Sequence, residues 1–410
     1  MDTILNKCKQ SVFSLNKLSE DDINNLLLRI KDGLKNNVDY IIEENKKDLD
    51  AAKNLIKPQM MDRLTLNEKR IQGLCDSIDD LVKLPNYIGE VIEEIKRPNG
   101  LVIKKVRVPF GVIAAIFEAR PNVAIDIACL CLKTKNACVL KGGKEAINTN
   151  IALVNIIKNA IKDFVDPNCI TLIERTDRAA TDELITKRDY IDLLIPRGSK
   201  GLIQYIVQNA KIPFIETGSG NCSLYVEKTA DIDMSLNVAL NAKHQRPSVC
   251  NAIENILVDK DIAPIFLPKL NDLFTEYNIE LRADKESLKY LKNAKLADDI
   301  DFDTEYNDLI IAVKTVNDYN EAIKFINQHS TKHSEAIMTN DPKALEAFYN
   351  DVDSACLYHN ASTRFTDGGE FGFGAEIGIS TTKIHARGPM GLKEITTYKY
   401  LISGNGQVRK

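Results

Sequence analysis

Neither sign of charge dominates this chain: 54 Lys and Arg residues face 58 Asp and Glu, a formal net charge of −4. That balance lacks the basic footprint with which proteins neutralise phosphate backbones, so no nucleic-acid partner is expected. Long apolar runs are missing too. The richest, Gly111–Phe117 and Ala124–Leu132, fall far short of the roughly 20 residues that span a bilayer, and no membrane segment is expected. Asp2, Lys7, Lys9 and Lys17 interrupt the first twenty residues, against a secretory signal and in favour of a cytoplasmic location. Nine cysteines, an odd number without an export signal, read as reduced thiols rather than a disulfide framework.

Phosphate-binding signatures are scarce. The GxxxxGK[ST] pattern does not occur, and no GxGxxG turn follows a strand. Gly218-Ser-Gly220 lacks the third glycine, Phe371-Gly-Phe-Gly374 has its next one only at Gly378, and Lys141-Gly-Gly-Lys144 has none where the fingerprint needs it. Any nucleotide is therefore held in another way. Cys129, Cys131 and Cys138 fall in apolar segments without a second Cys or His pair at zinc spacing, so packing is the expected role and no metal is expected. Cys8, Cys75 and Cys169 read the same way.

What is present is a globular composition, 44% hydrophobic and 27% charged over 410 residues, enough for two to three domains of about 100–200 residues. Apolar residues at Ile23, Leu26, Leu27, Ile30, Leu34, Val38 and Ile41 predict one amphipathic helix from Ser19 to about Lys53. A second is predicted from Pro58 to Leu84. Pro98-Asn-Gly100 between two β-compatible runs predicts a hairpin. Its outer run, Leu101–Val108, is apolar on both parities and reads as an arm seeking a partner surface, as does a C-terminal strand near Tyr398–Ile402. From Gly111 short strands alternate with helices: Val112–Phe117, Asn122–Lys133, Ala137–Leu140, Glu145–Phe164, Ile170–Ile173, Tyr190–Ile195, Gly201–Ala210 and Pro213–Ile215. A second series follows, with a helix at Asp231–Lys243 and strands at Ala252–Val258 and Leu309–Val313. This beat predicts an α/β protein with mainly parallel sheets and ligands at the carboxyl ends of the strands.

Cys250 stands apart from the other thiols. It ends Gln245-Arg-Pro-Ser-Val-Cys250 and leads into the apolar run Ile253–Val258, a loop-to-strand junction behind a cation, where a thiolate nucleophile is favoured. Burial as a packing residue is the alternative. His244 precedes the loop and offers a Cys–His pair, but with no visible orienting partner. His385, in a turn-rich segment, reads as a structural hydrogen-bonder. Glu118, Glu216, Glu305 and Glu376 each border a glycine, an aromatic residue or a strand end, where a carboxylate can serve as base, ribose ligand or cap.

Several stretches then occur together and in order: Phe117-Glu-Ala-Arg-Pro-Asn-Val123, Leu140-Lys-Gly-Gly143, Ile195-Pro-Arg-Gly198, Asn241-Ala-Lys-His-Gln-Arg-Pro-Ser-Val-Cys250, the run from Asn360 to Ser380, and His385-Ala-Arg-Gly-Pro-Met-Gly391. With these the chain resembles the γ-glutamyl phosphate reductase family, a branch of the aldehyde dehydrogenase superfamily, from its first helix to Gly404-Asn-Gly-Gln407. The resemblance implies an aldehyde-dehydrogenase-like α/β fold: two three-layer αβα domains with Rossmann-like parallel sheets and a small β oligomerisation flap. The expected divisions are residues 1–94 and 109–226 for the cofactor domain, 227–389 for the catalytic domain, and 95–108 and 390–410 for the flap.

The resemblance also implies NADPH-dependent reduction of L-glutamyl 5-phosphate to the 5-semialdehyde in proline biosynthesis. Cys250 would be the nucleophile, Asn122 the side-chain half of an oxyanion hole, and Lys141 with Gly142 and Gly143 the adenosine-ribose side of the cofactor site. Glu305 falls near the superfamily's nicotinamide-ribose ligand. Lys144, just after the Gly-Gly turn, would favour a 2′-phosphate and hence NADP. Arg246 would meet the leaving phosphate or keep the thiol ionised, since Arg matches phosphate oxygens bidentately; a loop-holding salt bridge is its other reading. Arg364 with Glu370 or Asp367 could meet the substrate's α-carboxylate and α-amino groups. Glu216 is left outside the catalytic set, because water on a thioester would be a side reaction here. A homo-oligomer, dimer or tetramer, and a transient partnership with a glutamate 5-kinase carried on another chain are expected. Two alternatives remain: a superfamily enzyme with a different aldehyde or acyl substrate, and an inactive homologue serving as a binding subunit.

Overall fold

The computed structural model describes residues 1–53, 55–56 and 58–409. The chain divides into two compact units, Met1–Thr217 with Gly372–Gly378 and Met390–Lys410, and Gly218–Phe371 with Ile379–Pro389.

Helices α1 (Asp2–Asn16), α2 (Glu20–Lys35), α3 (Val38–Ala52), α4 (Pro58–Leu64) and α5 (Glu68–Lys83) lead the first unit. Ser19 and Asp22 close a capping box on α2, which buries Ile23, Leu26, Leu27, Ile30 and Leu34. The single helix expected over Ser19–Lys53 is in fact two. Asn37 Nδ2 donates to the Gly33 carbonyl at 2.7 Å, and such a local side-chain bond competes with continued helix. The segment expected to be helical from Pro58 to Leu84 is likewise broken, because Asn67 caps α5 by accepting from Arg70 N–H.

Strands β1 (Val91–Lys96) and β2 (Val102–Pro109) form the expected hairpin. Then come β3 (Val112–Phe117), α6 (Asn122–Lys133), β4 (Ala137–Gly142), α7 (Ile147–Ile161), β5 (Ile170–Leu172), α8 (Arg178–Leu184), β6 (Leu193–Arg197) and α9 (Lys200–Asn209). β5, β4, β3 and β6 make a parallel sheet in that order. Its inner strands β3 and β4 are buried along their length, as strands covered on both faces must be. The strand expected at Pro213–Ile215 is reduced to a lone bridge between Leu194 and Phe214.

The second unit runs through β7 (Cys222–Val226), α10 (Ile232–His244), β8 (Ile253–Asp259), α11 (Ala263–Glu276), β9 (Glu280–Ala283), β10 (Lys295–Leu296), β11 (Ile310–Val316), α12 (Tyr319–His329), β12 (Ser334–Met338), α13 (Pro342–Asp351) and β13 (Cys356–His359). Its parallel sheet has the order β10-β9-β11-β8-β7-β12-β13. β7, which the sequence reading placed at the end of the cofactor domain, pairs between β8 and β12. Alternate residues feed two cores on opposite faces. Leu224, Ile256 and Val313 join α10 and α11, whereas Tyr225, Leu257 and Ala312 join α12 and α13, which makes three layers from period-2 strands.

β14 (Gly378–Ser380) and β15 (Gly388–Met390) pair with each other, and β16 (Thr396–Ser403) adds to β2 to complete a three-stranded antiparallel sheet β1-β2-β16.

Candidate active site

In the first unit the ends of β3 and β4, with α8 and α9, border an open cleft of about 360 Å³, lined by Glu118, Lys141, Gly142, Gly143, Arg178 and Tyr205 among others. The Gly-Gly turn is set by crowding. A Cβ on Gly142 would meet Asn150 Nδ2 at 2.1 Å, and one on Gly143 would meet Glu145 Oε1 at 2.1 Å. Beyond the turn, Asp48 anchors the start of α7 from the helical layer, its carboxylate accepting from the backbone and side chains of Asn148 and Thr149.

Lys141 is 4% exposed, and among the described residues its ammonium has one acceptor, the Gly142 carbonyl at 3.3 Å. Burial pushes its pKa down, opposed by Asp177 and Glu145. A buried ammonium with unused donors at the rim of a cavity fits a ligand that brings hydroxyl or phosphate oxygens, as the ribose side of a nicotinamide dinucleotide does. Lys144 lies outside that lining and is exposed. Arg178, not anticipated from the sequence, is a cation on that lining, its guanidinium 4.5 Å from the Tyr205 ring centroid. Tyr205 is held by a 2.6 Å bond to Asp182. Arg175 is occupied by Asp177 and Glu183.

Asn122 opens α6, and its Nδ2 donates to Asp126 one turn on at 3.0 Å. Burial raises the Asp126 carboxyl to about 6, opposed by Asn122 and Arg197. One amide hydrogen of Asn122 is thus spent on orientation, and among the described residues the other has no acceptor. The i, i+4 spacing of Asn122 and Asp126 was a visible signal that the sequence reading missed.

In the second unit Cys250 lies on the loop between α10 and β8. It is half-buried, while the other eight cysteines are buried. Burial pushes the thiols of Cys8, Cys129, Cys138, Cys169, Cys222 and Cys356 above their ordinary range, so they are poor nucleophiles. The expectation that Cys8, Cys75, Cys129, Cys131, Cys138 and Cys169 pack in the interior is met.

The loop is held from beneath by a polar network. The Cys222 thiol donates to the Cys250 carbonyl at 3.2 Å. Asn251 Nδ2 donates to the Thr366 carbonyl at 2.8 Å, and Thr363 Oγ1 to the Asn251 carbonyl at 2.6 Å. Thr366 in turn bonds Ser334 and Tyr358, both at 2.7 Å. Gly220 presses on the same carbonyl so closely that a Cβ there would lie 1.4 Å from the Cys250 oxygen.

Arg246 and Arg364 come together here. Burial and the like charge of Arg246 lower the pKa of Arg364, while Cys250 and Asp367 raise it. Arg364 Nε also bonds Gln245 Oε1 at 3.0 Å. Glu305 accepts from Gly220 N–H at 2.8 Å, next to the Cys250 loop. Asp367 spends its carboxylate on the backbone N–H groups of Gly369 and Glu370, and the Glu370 side chain is exposed. His244 stands edge-on to Tyr277, ring centroids 4.9 Å apart.

Among the described residues no group of three or more His, Cys, Asp or Glu could hold a metal ion, and no helix is long and apolar enough to cross a membrane.

Residues 19–288 match the aldehyde dehydrogenase family. A gamma-glutamyl phosphate reductase of Carboxydothermus hydrogenoformans is 49% identical, covering 100% of both chains. One from Clostridium botulinum is 51% identical over 98% of each. The crystal structure of gamma-glutamyl phosphate reductase from Thermotoga maritima superposes with a TM-score of 0.97 at 41% identity, covering 100% of this chain and 99% of that one. An acetylating aldehyde dehydrogenase from Geobacillus thermoglucosidasius shares the fold, with a TM-score of 0.70 at 16% identity. With full-length relatives near half identity, this chain belongs to the gamma-glutamyl phosphate reductases of the aldehyde dehydrogenase family.

Proposed function

We propose that the protein reduces L-glutamyl 5-phosphate to L-glutamate 5-semialdehyde and phosphate in proline biosynthesis, with NADPH as reductant and Cys250 as the covalent centre. The observation that carries this reading is the Cys250 thiol, half-exposed where eight other thiols are buried and close enough to Arg364 for their charges to act on each other. Neighbouring guanidinium groups favour thiolate over thiol. The thiolate attacks the acyl carbon, the bond from that carbon to the phosphate oxygen breaks, and a thioester on Cys250 remains. Arg246 receives the departing phosphate, and Arg364 takes the substrate's carboxylate by the same bidentate chemistry. Glu370 is carried over for the substrate amino group on charge and position.

When bound, the reduced nicotinamide supplies the hydride. The oxyanion of each tetrahedral species accepts from the Cys250 N–H, and Asn122 is carried over from the resemblance as the side-chain donor. Release of the aldehyde restores the thiolate. Lys141 and the Gly142-Gly143 turn hold the adenosine ribose, Glu305 the nicotinamide ribose, and Arg178 the 2′-phosphate, with Lys144 as an outer cation. Arg178 is preferred to Lys144 because it borders the cavity.

A cytoplasmic location and a transient glutamate 5-kinase partner belong to the same reading, since an acyl phosphate hydrolyses readily. So does a dimer or tetramer built through β1-β2-β16, whose outer strand exposes Tyr398, Tyr400, Leu401 and Ile402. Light-scattering mass tests the assembly. Phosphate-dependent reduction of NADP by glutamate semialdehyde, with little activity on simple aliphatic aldehydes, tests the reaction; equal activity on the aliphatic panel would overturn the substrate assignment.

A further inference from the structure

Lys243 and Glu254 form an ion pair of 2.5 Å between Nζ and Oε2, with neither side chain exposed to solvent. Lys243 belongs to the last turn of α10 and Glu254 is the second residue of β8. The chain between them is the loop that carries Arg246 and Cys250. We propose that this pair is a clasp: it closes the two ends of the nucleophile loop on each other and positions the Cys250 thiol. The proposal rests on the reading of Cys250 as nucleophile.

Three observations carry it. First, an ion pair is a poor device for stability at this place. Burial raises the Glu254 carboxyl to about 8 and lowers Lys243, each opposed by the other, and buried pairs are often no more stabilising than apolar residues of the same volume. Second, the pair reaches a neighbouring segment. Glu254 Oε1 accepts from Asn307 N–H at 3.4 Å, and Tyr306 places its ring 5.9 Å from Lys243 Nζ. Third, that segment returns to the thiol. Glu305 takes the Gly220 N–H, and Gly220 rests against the Cys250 carbonyl. The clasp thus connects to the Cys250 carbonyl through the Asn307 N–H, the 305–307 chain, the Glu305–Gly220 bond and the close approach of Gly220.

A double substitution separates positioning from stability. Lys243→Met alone strands a buried carboxyl and lowers the thermal midpoint. Lys243→Met with Glu254→Leu restores the midpoint, because the volume is refilled without charge. In that double variant kcat stays about 10²-fold down, the cost expected of a misplaced reacting group. Alkylation of Cys250 by iodoacetamide changes rate in the same variant, a readout that a merely stabilising pair would leave at the parent value. A double variant with parent kcat and parent alkylation rate overturns the clasp. If the double variant does not fold, Glu254→Gln, which keeps shape and removes charge, decides by the same two readouts. Cys250→Ser run in parallel keeps the two ideas apart: turnover surviving in Cys250→Ser overturns the thiol reading, whereas an inactive Cys250→Ser beside an unaffected Glu254→Gln overturns the clasp alone.

Discussion

The two units build their sites by opposite means. The first leaves room: a cavity borders the Gly142-Gly143 turn, and Lys141 keeps donors unspent beside it. The second leaves little, since Cys222, Gly220, Asn251 and Thr363 all press on or bond to the backbone around Cys250. A binding site gains by open donors that a ligand completes, whereas a nucleophile gains by being held in one geometry before the substrate arrives.

Substitutions test that contrast in decreasing order of effect. Cys250→Ala is expected to lower kcat by about 10⁴-fold or more, as loss of a nucleophile does, with cofactor affinity by fluorescence titration unchanged. Asn122→Ala should cost about 10²–10³ in kcat, the usual toll of one oxyanion donor. Asp126→Asn, which loosens that amide without removing it, should cost less. Lys141→Ala and Arg178→Ala should spare Cys250 alkylation and raise KM for NADPH about tenfold, a charge-assisted bond of roughly 1.4 kcal/mol. Arg178→Ala should narrow the preference for NADPH over NADH, and Lys144→Ala should narrow it less; the reverse ranking would return the 2′-phosphate to Lys144.

The smallest effect concerns pH. Burial raises the Glu335 carboxyl from 4.5 to about 8, against bonds from Ser330, Ser223 and Ser354. A carboxyl with a raised folded pKa contributes stability below its unfolded value, and that contribution is lost as pH climbs to the folded one. The Glu335 contribution to the denaturation midpoint should therefore fall between pH 4.5 and about 8, and Glu335→Gln should remove that part of the pH dependence. An unchanged slope in Glu335→Gln would assign the pH dependence to other groups.

Much of this arrangement was legible in the residues. The alternation of strands and helices after Gly111 was visible because β3, β4 and α6 are buried nearly throughout and so read as continuous apolar runs. Cys250 stood out because its loop breaks the apolar pattern just before β8. The division at Asn37 was hidden, since one amide bond to Gly33 ends a helix whose apolar spacing continues across the break. Arg178 was hidden differently: it comes to the Gly-Gly turn only through the fold, from a helix one βαβ step further along the chain. Glu254 was a clue left unused, a charge inside the run Ile253–Val258, where a fully covered strand calls for an apolar residue unless a buried partner waits.

The most direct measurement is a single turnover in the oxidative direction without phosphate. Enzyme mixed with NADP and glutamate semialdehyde should release NADPH in a burst of one equivalent per active subunit and then stall, and the peptide containing Cys250 should carry the glutamyl thioester. Adding phosphate should clear the adduct and restart turnover. A burst with the adduct elsewhere, or steady turnover that never loads Cys250, would contradict the account.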